Sequence, residues 1–215
     1  MDFYLFGSNE HIDMTNPSEQ FISEFCDVEK VDPQYGESEK CPLCGRAVSN
    51  KEWLEPRKIR LSNTRYADHL YYWFCNYPFV VSERFVEVYK ESNLSGIKEF
   101  LPLEVVKVSR MRKNSPKPPR YFIATIPFTK NVTIDVDKTI VVGKDRDWKC
   151  ELCSPFGKVR DHFEKLTLNT TNWSGEDIFE VYNLGIVASQ RFKDFVEENN
   201  FTNFEFIKIA DYKKA

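Results

Sequence analysis

What this chain lacks sets its limits. No run of apolar residues approaches the roughly 18 needed to cross a bilayer. The opening Met1-Asp2-Phe3-Tyr4-Leu5-Phe6 has neither the basic region nor the long apolar core of a secretory leader. Both absences predict a cytoplasmic protein without a membrane partner, in a compartment where thiols stay reduced. An excess of positive charge is missing too: 30 basic against 33 acidic residues leave a net charge of −3, so no global field recruits nucleic acid. Histidine is scarce, and His11, His69 and His162 fall into no HExxH or related pattern. Surface or supporting roles are expected of all three, with His162, close behind Cys153, an alternative metal ligand. No glycine-rich phosphate loop and no G-x-S-x-G elbow occurs, so no catalytic residues are assigned.

What is present fits a soluble globular chain. Its 215 residues suffice for one large domain or two small ones with a real core, at 41% hydrophobic and 29% charged. Aromatic residues reach 15%, a large share of rigid apolar surface for cores and interfaces alike.

Two CxxC pairs carry the sharpest signal: Cys41-Pro42-Leu43-Cys44-Gly45 and Cys150-Glu151-Leu152-Cys153. A second pair of segments repeats at almost the same distance. Val80-Val81-Ser82-Glu83-Arg84-Phe85 returns as Val187-Ala188-Ser189-Gln190-Arg191-Phe192, a shift of 107, while the cysteines shift by 109. Two unrelated motifs at nearly one offset predict a duplicated unit. Each CxxC turn aims two thiolates at one point, and two such turns complete the tetrahedron that structural zinc prefers. The pairs stand 105 residues apart, far more than in a compact zinc ribbon, but equivalent loops of two related halves can meet across a pseudo-two-fold axis. Two other readings stay open: a thioredoxin-like redox pair, which the polar lead-in Gly36–Lys40 disfavours, and cysteines that are unengaged or disulfide-bonded. Cys26 and Cys75 lie in apolar settings and read as ordinary buried thiols.

The expected elements follow from local pattern. Residues 3–6 read as a strand. Asn16-Pro17-Ser18-Glu19 looks like a helix start, with Phe21, Ile22 and Phe25 on one face. A polar stretch, 32–40, leads to the first cysteines. Strands are expected at Ile59–Leu61, Tyr71–Cys75, Phe79–Val81, Leu103–Val108, Tyr121–Ile126, Val132–Val136, Thr139–Val142 and Glu205–Ile209. Ser82 and Ser189 suit N-caps, and Phe85, Val88, Tyr89 and Phe192, Phe195, Val196 recur at helical spacing. Asn93 and Asn200 fall where a left-handed residue would end each helix, with Leu94 and Phe201 folding back. The basic, proline-rich segment Ser109–Arg120 excludes a regular helix or central strand and reads as a connector or an anion contact loop. The fold class is therefore α+β: two duplicated, pseudo-symmetric halves of mainly antiparallel strands, one repeated helix each, joined by a four-cysteine zinc site. The expected division is 1–108, a connecting 109–149, and 150–215, forming one compact unit whose halves the cysteines join.

CPLCG, Trp53-Leu54-Glu55-Pro56, the V-S-E-R-F helix, the second CxxC and the closing S-Q-R-F helix occur in the order found in bacterial double-CXXCG motif proteins, and the chain resembles that family. Ile178–Ile209 likewise looks like the end of an immunity-protein family found beside polymorphic toxins. The second motif departs at one place, Ser154 standing where the family has glycine. The resemblance implies an immunity protein that binds and neutralises a cognate toxin domain in a contact- or kin-dependent system. Acidic groups at Glu176-Asp177, Glu180, Asp194 and Glu197-Glu198 would face a basic toxin, or simply solvent. The competing function is a nucleic-acid-associated or regulatory zinc-ribbon protein, for which only Arg57–Arg60 and Ser109–Arg120 supply basic candidates.

Overall fold

The computed structural model describes residues 1–6, 25–70, 79–141, 149–155, 163–182 and 184–212. The expected helix start at residues 16–19, the strand at Tyr71–Cys75, and Cys75, His11 and His162 lie outside them. The described chain runs β1 (Phe3–Phe6), β2 (Val28–Val31), β3 (Gln34–Lys40), β4 (Ala47–Leu54), β5 (Lys58–Leu61), β6 (His69–Leu70), β7 (Phe79–Ser82) and α1 (Glu83–Glu91). It continues through β8 (Glu99–Val108), β9 (Tyr121–Thr125), β10 (Thr133–Ile134), β11 (Ile140–Val141), β12 (Phe163–Lys165) and β13 (Leu168–Asn169). β14 (Ile178–Val181), β15 (Gly185–Ser189), α2 (Gln190–Glu198), β16 (Phe206–Lys208) and a short 3-10 turn, Ile209–Asp211, complete it. The fold is mostly β with two helices, and its strand pairing is mainly antiparallel, with β5 and β8 parallel.

Two sheets dominate. One has the order β2-β5-β8-β9-β7-β6, the other β14-β15-β1-β16. Around the helices they repeat each other. β9 lies between β7 and β8 with Ser82 opposite Tyr121; β1 lies between β15 and β16 with Ser189 opposite Phe3. Each strand leading into a helix ends on its capping serine, whose Oγ accepts from Phe85 N at 3.2 Å and from Phe192 N at 3.3 Å. Those bonds satisfy backbone donors that a helix start leaves open, which is why the serines stop the strands and start the helices.

Period-two alternation divides each sheet between two cores. Phe79 and Val81 of β7 and Ala188 of β15 join both helices in one aromatic cluster with Phe85, Tyr89, Phe192, Phe195 and Phe201. Val80, Tyr121 and Ile123 face the other way, onto Trp53, Ile59 and Leu61. On the second sheet Phe3, Leu5, Phe179 and Val187 pack with Val132 and Phe163. The shared cluster is the seam of the molecule: the rings of Phe85 and Phe192 lie 6.3 Å apart, and those of Phe85 and Phe201 5.1 Å apart.

Two local expectations are corrected. Residues 34–40 form a strand, β3, paired with β4. Both faces of QYGESEK are largely exposed, so the segment carries no apolar alternation to announce it. Helix α1 ends at Ser92, whose N–H reaches Tyr89 O at 3.1 Å, and Asn93 is not left-handed. Asn200, at φ 51°, is. The segment 109–120 is irregular, as its prolines require.

Candidate metal centre

The β3–β4 hairpin carries Cys41 and Cys44 at its tip. Cys41 N donates to Arg46 O at 2.7 Å and Gly45 N to Cys41 O at 2.8 Å, with Gly45 left-handed at φ 73°. The second turn closes differently. Cys150 N and Ser154 O, and Ser154 N and Cys150 O, exchange bonds of 3.1 and 2.9 Å, and Ser154 is not left-handed. Serine replaces glycine there because this turn closes one residue earlier and never needs the positive φ that a Cβ resists.

The two turns meet. Cys41 Sγ lies 3.8 Å from Cys150 Sγ and Cys44 Sγ 3.5 Å from Cys153 Sγ, and all four sulfurs fall within 4.8 Å of one another. Cys41, Cys150 and Cys153 are buried; Cys44 faces solvent. Tyr182 closes the base of the cluster and stacks on Phe128, centroids 4.6 Å apart and planes 8° from parallel. The N–H groups of Thr129 and Glu180 hold Phe128 beside β14 through Glu180 O and Pro127 O.

The electrostatics suit a cation. The backbone N–H of Cys153, working against burial, pulls the Cys150 thiol down to about 6. Burial resists ionisation of Cys41, but the N–H groups of Cys44 and Leu43 and the neighbouring thiols lower it overall. Burial and then the neighbouring cysteines push Cys153 up. Four converging thiols cannot all carry charge without a counter-ion, and a soft metal supplies one. Burial, then the charge of Glu39, raises the nearby Glu180 carboxyl to about 7. The four cysteines are positioned to hold a metal ion. Cys26 is a separate buried thiol, pushed up to about 12 by burial.

The expectation of a surface or supporting role for His69 is corrected. It is 3% exposed, packed against Phe6, Phe79 and Phe204, with Nδ1 2.9 Å from Asn203 O. Burial drives its pKa down to about 3, so the ring is neutral at pH 7.

The acidic groups separate in the same way. Asp177 is 1% exposed: its carboxylate accepts from Ser189 Oγ at 3.0 Å and Ser95 N at 3.0 Å and pairs with Arg191 at 3.3 Å. Asp68, beside α1, accepts from Ser82 Oγ at 2.7 Å, Arg84 at 2.9 Å and Thr202 N at 3.1 Å. Arg84 reaches across the seam to Asn199 O, and Arg191 reaches back to Asn93 O at 3.3 Å. Asp194 binds Gln190, and Glu197 pairs with Lys193. Nothing local in the sequence marks Asp68, and Asp177, expected at the surface, is buried. The available signal was their separation, 109 residues, the same as that of the cysteines.

Among the described residues, no helix is long and apolar enough to cross a membrane. None of the curated proteins matches the sequence. Residues 11–211 match an immunity protein family, Imm11, a span that includes both cysteine pairs and both capped helices. The chain therefore belongs to the Imm11 immunity protein family.

Proposed function

We propose that this chain is a cytoplasmic, non-enzymatic immunity protein that binds and neutralises a cognate toxin. In this reading Cys41, Cys44, Cys150 and Cys153 hold a structural Zn2+. The family match across 11–211 carries the reading, because it covers nearly the whole chain. The donor set supports the metal. Four thiolates around zinc, with Zn–S near 2.3 Å, stand about 3.8 Å apart in a regular tetrahedron. The sulfur pairs at 3.8 and 3.5 Å fit that spacing. A bound zinc would supply positive charge to the converging thiolates and tie the hairpin tip to the second unit.

The reciprocal contacts of Asp68 with Thr202 and of Asp177 with Ser95 support a duplicated ancestry. The repeating units would then comprise roughly residues 67–125 and 176–209, the second completed by residues 3–6. The nucleic-acid reading loses half its basic candidates, since Arg57 is buried on Trp53 O and Glu55 and Arg60 pairs with Glu29.

The test is co-expression with the toxin domain encoded beside this chain. Cells should survive with the chain present, and the two purified proteins should form a stoichiometric complex. Death despite soluble expression, with no complex, would overturn the proposal. Metal analysis of the purified chain should return one zinc per molecule.

A further inference from the structure

Ser109–Arg120 is the most basic segment of the sequence, and among the described residues only Arg120 of it enters an ion pair. From Lys107 to Arg120 the chain carries six basic residues and no acidic one, in a protein whose net charge is −3. Only Arg120 is engaged, with Glu83 at the start of α1. Lys107, Arg110, Arg112, Lys113 and Lys117 make no ion pair with any described residue. The acidic residues Asp68, Asp177, Asp194 and Glu197, by contrast, are bonded internally.

This loop is also held in shape. Ser109 N binds Leu61 O at 2.8 Å and Glu83 N binds Arg120 O at 2.8 Å, which fixes both ends. Between them Arg112 and Ser115 close a turn through bonds of 2.9 Å, and Tyr66 Oη donates to Pro116 O at 3.1 Å. Three prolines restrict what remains. A pre-ordered loop loses little conformational entropy on docking. Met111, 48% exposed among the cations, adds an apolar anchor of the kind that protein interfaces favour beside arginine.

We infer that the loop Lys107–Arg120 is a docking surface for an acidic face of the toxin; this inference rests on the immunity reading above. A protein partner fits better than nucleic acid. The segment has no aromatic side chain on which a base would stack, and the net negative chain repels a polyanion at long range.

The experiment compares the full-length wild-type chain with R110E/R112E/K113E/K117E, using the toxin domain that the wild type neutralises. All four side chains are exposed, so the thermal transition should not move. The reversal should raise Kd at least about tenfold at 0.15 M salt, slow association, and weaken protection, while wild-type affinity falls as salt rises. A milder variant, R110Q/R112Q/K113Q/K117Q, should give a smaller loss in the same direction, and it tests the inference if the reversal fails to fold. Wild-type Kd and protection in both variants would overturn this inference and leave the immunity reading standing. A wild-type chain that neither binds nor protects would overturn both. Loop-dependent binding of a 20-base-pair DNA duplex at 0.15 M salt, with toxin binding unchanged in the variants, would overturn it in favour of a polyanion.

Discussion

The two corners of the seam perform one task with different materials. At the first, His69 N donates to Thr202 O, His69 Nδ1 faces Asn203 O, and Asn203 Nδ2 donates back to His69 O. At the second, Ile178 N donates to Ser95 O in the same relation, but the residue matching Asn203 is Gly96. Gly96 sits at φ 116°, and a Cβ there would collide with the Ile178 carbonyl. One corner is filled by side chains, the other by backbone in close apposition. The cysteine turns divide along similar lines, left-handed Gly45 in one and Ser154 in the other. Capping serine, aspartate and cross-seam arginine recur around both helices because each satisfies buried donors or acceptors. The packing around them is free to differ.

Removing the metal should have the largest effect, because it acts on both turns at once. If zinc ties them, chelation or Cys153→Ser should cost on the order of 10 kcal/mol and leave the chain unfolded in denaturant titrations. A folded, zinc-free chain with unchanged stability would separate the turns from the rest of the comparison. Next come the seam carboxylates. Asp177→Ala leaves the Ser189 hydroxyl, the Ser95 N–H and Arg191 without their partner and should cost roughly 3–5 kcal/mol. Asp68→Ala should cost less, since its side chain is 11% exposed against 1%. Equal losses would mean that depth of burial does not distinguish the corners.

The turns themselves give a smaller, asymmetric effect. Gly45→Ser forces a side chain into the left-handed region and should cost about 1–2 kcal/mol, whereas Ser154→Gly should bring no gain. A stabilising Ser154→Gly would show that the second turn is strained after all. The smallest effect at neutral pH concerns His69. Its folded pKa, about 3, lies below its ordinary 6.5. Its contribution to stability is therefore fully present above pH 6.5 and is lost as pH falls toward 3. His69→Ile, which copies the second corner, should flatten the acid side of a melting-temperature profile in that window. An unchanged acid slope would assign the effect to other groups.

Much of this architecture was legible locally. Ser82 and Ser189 announced the helix starts because an N-cap bond involves only neighbouring residues. The strands around Tyr121 and Phe3 showed in their apolar content. β3 did not, because both its faces are largely exposed. His69 and Asp177 were misread for one reason: burial of a polar side chain depends on partners that are distant in sequence. Asn203 lies 134 residues from His69, and Ser95 lies 82 from Asp177.

By itself the sequence determined the two cysteine turns, the two capped helices and the offset relating them, since each rests on contacts a few residues long or on direct repetition. The tertiary structure alone decided that the four sulfurs converge and that the carboxylates lock the seam. It also left five of the six cations of the loop 107–120 without an ion pair among the described residues. Those outcomes depend on which distant segments the sheets bring together: β1 pairs with β15 and β16, more than 180 residues away in the chain. No local pattern encodes such a pairing.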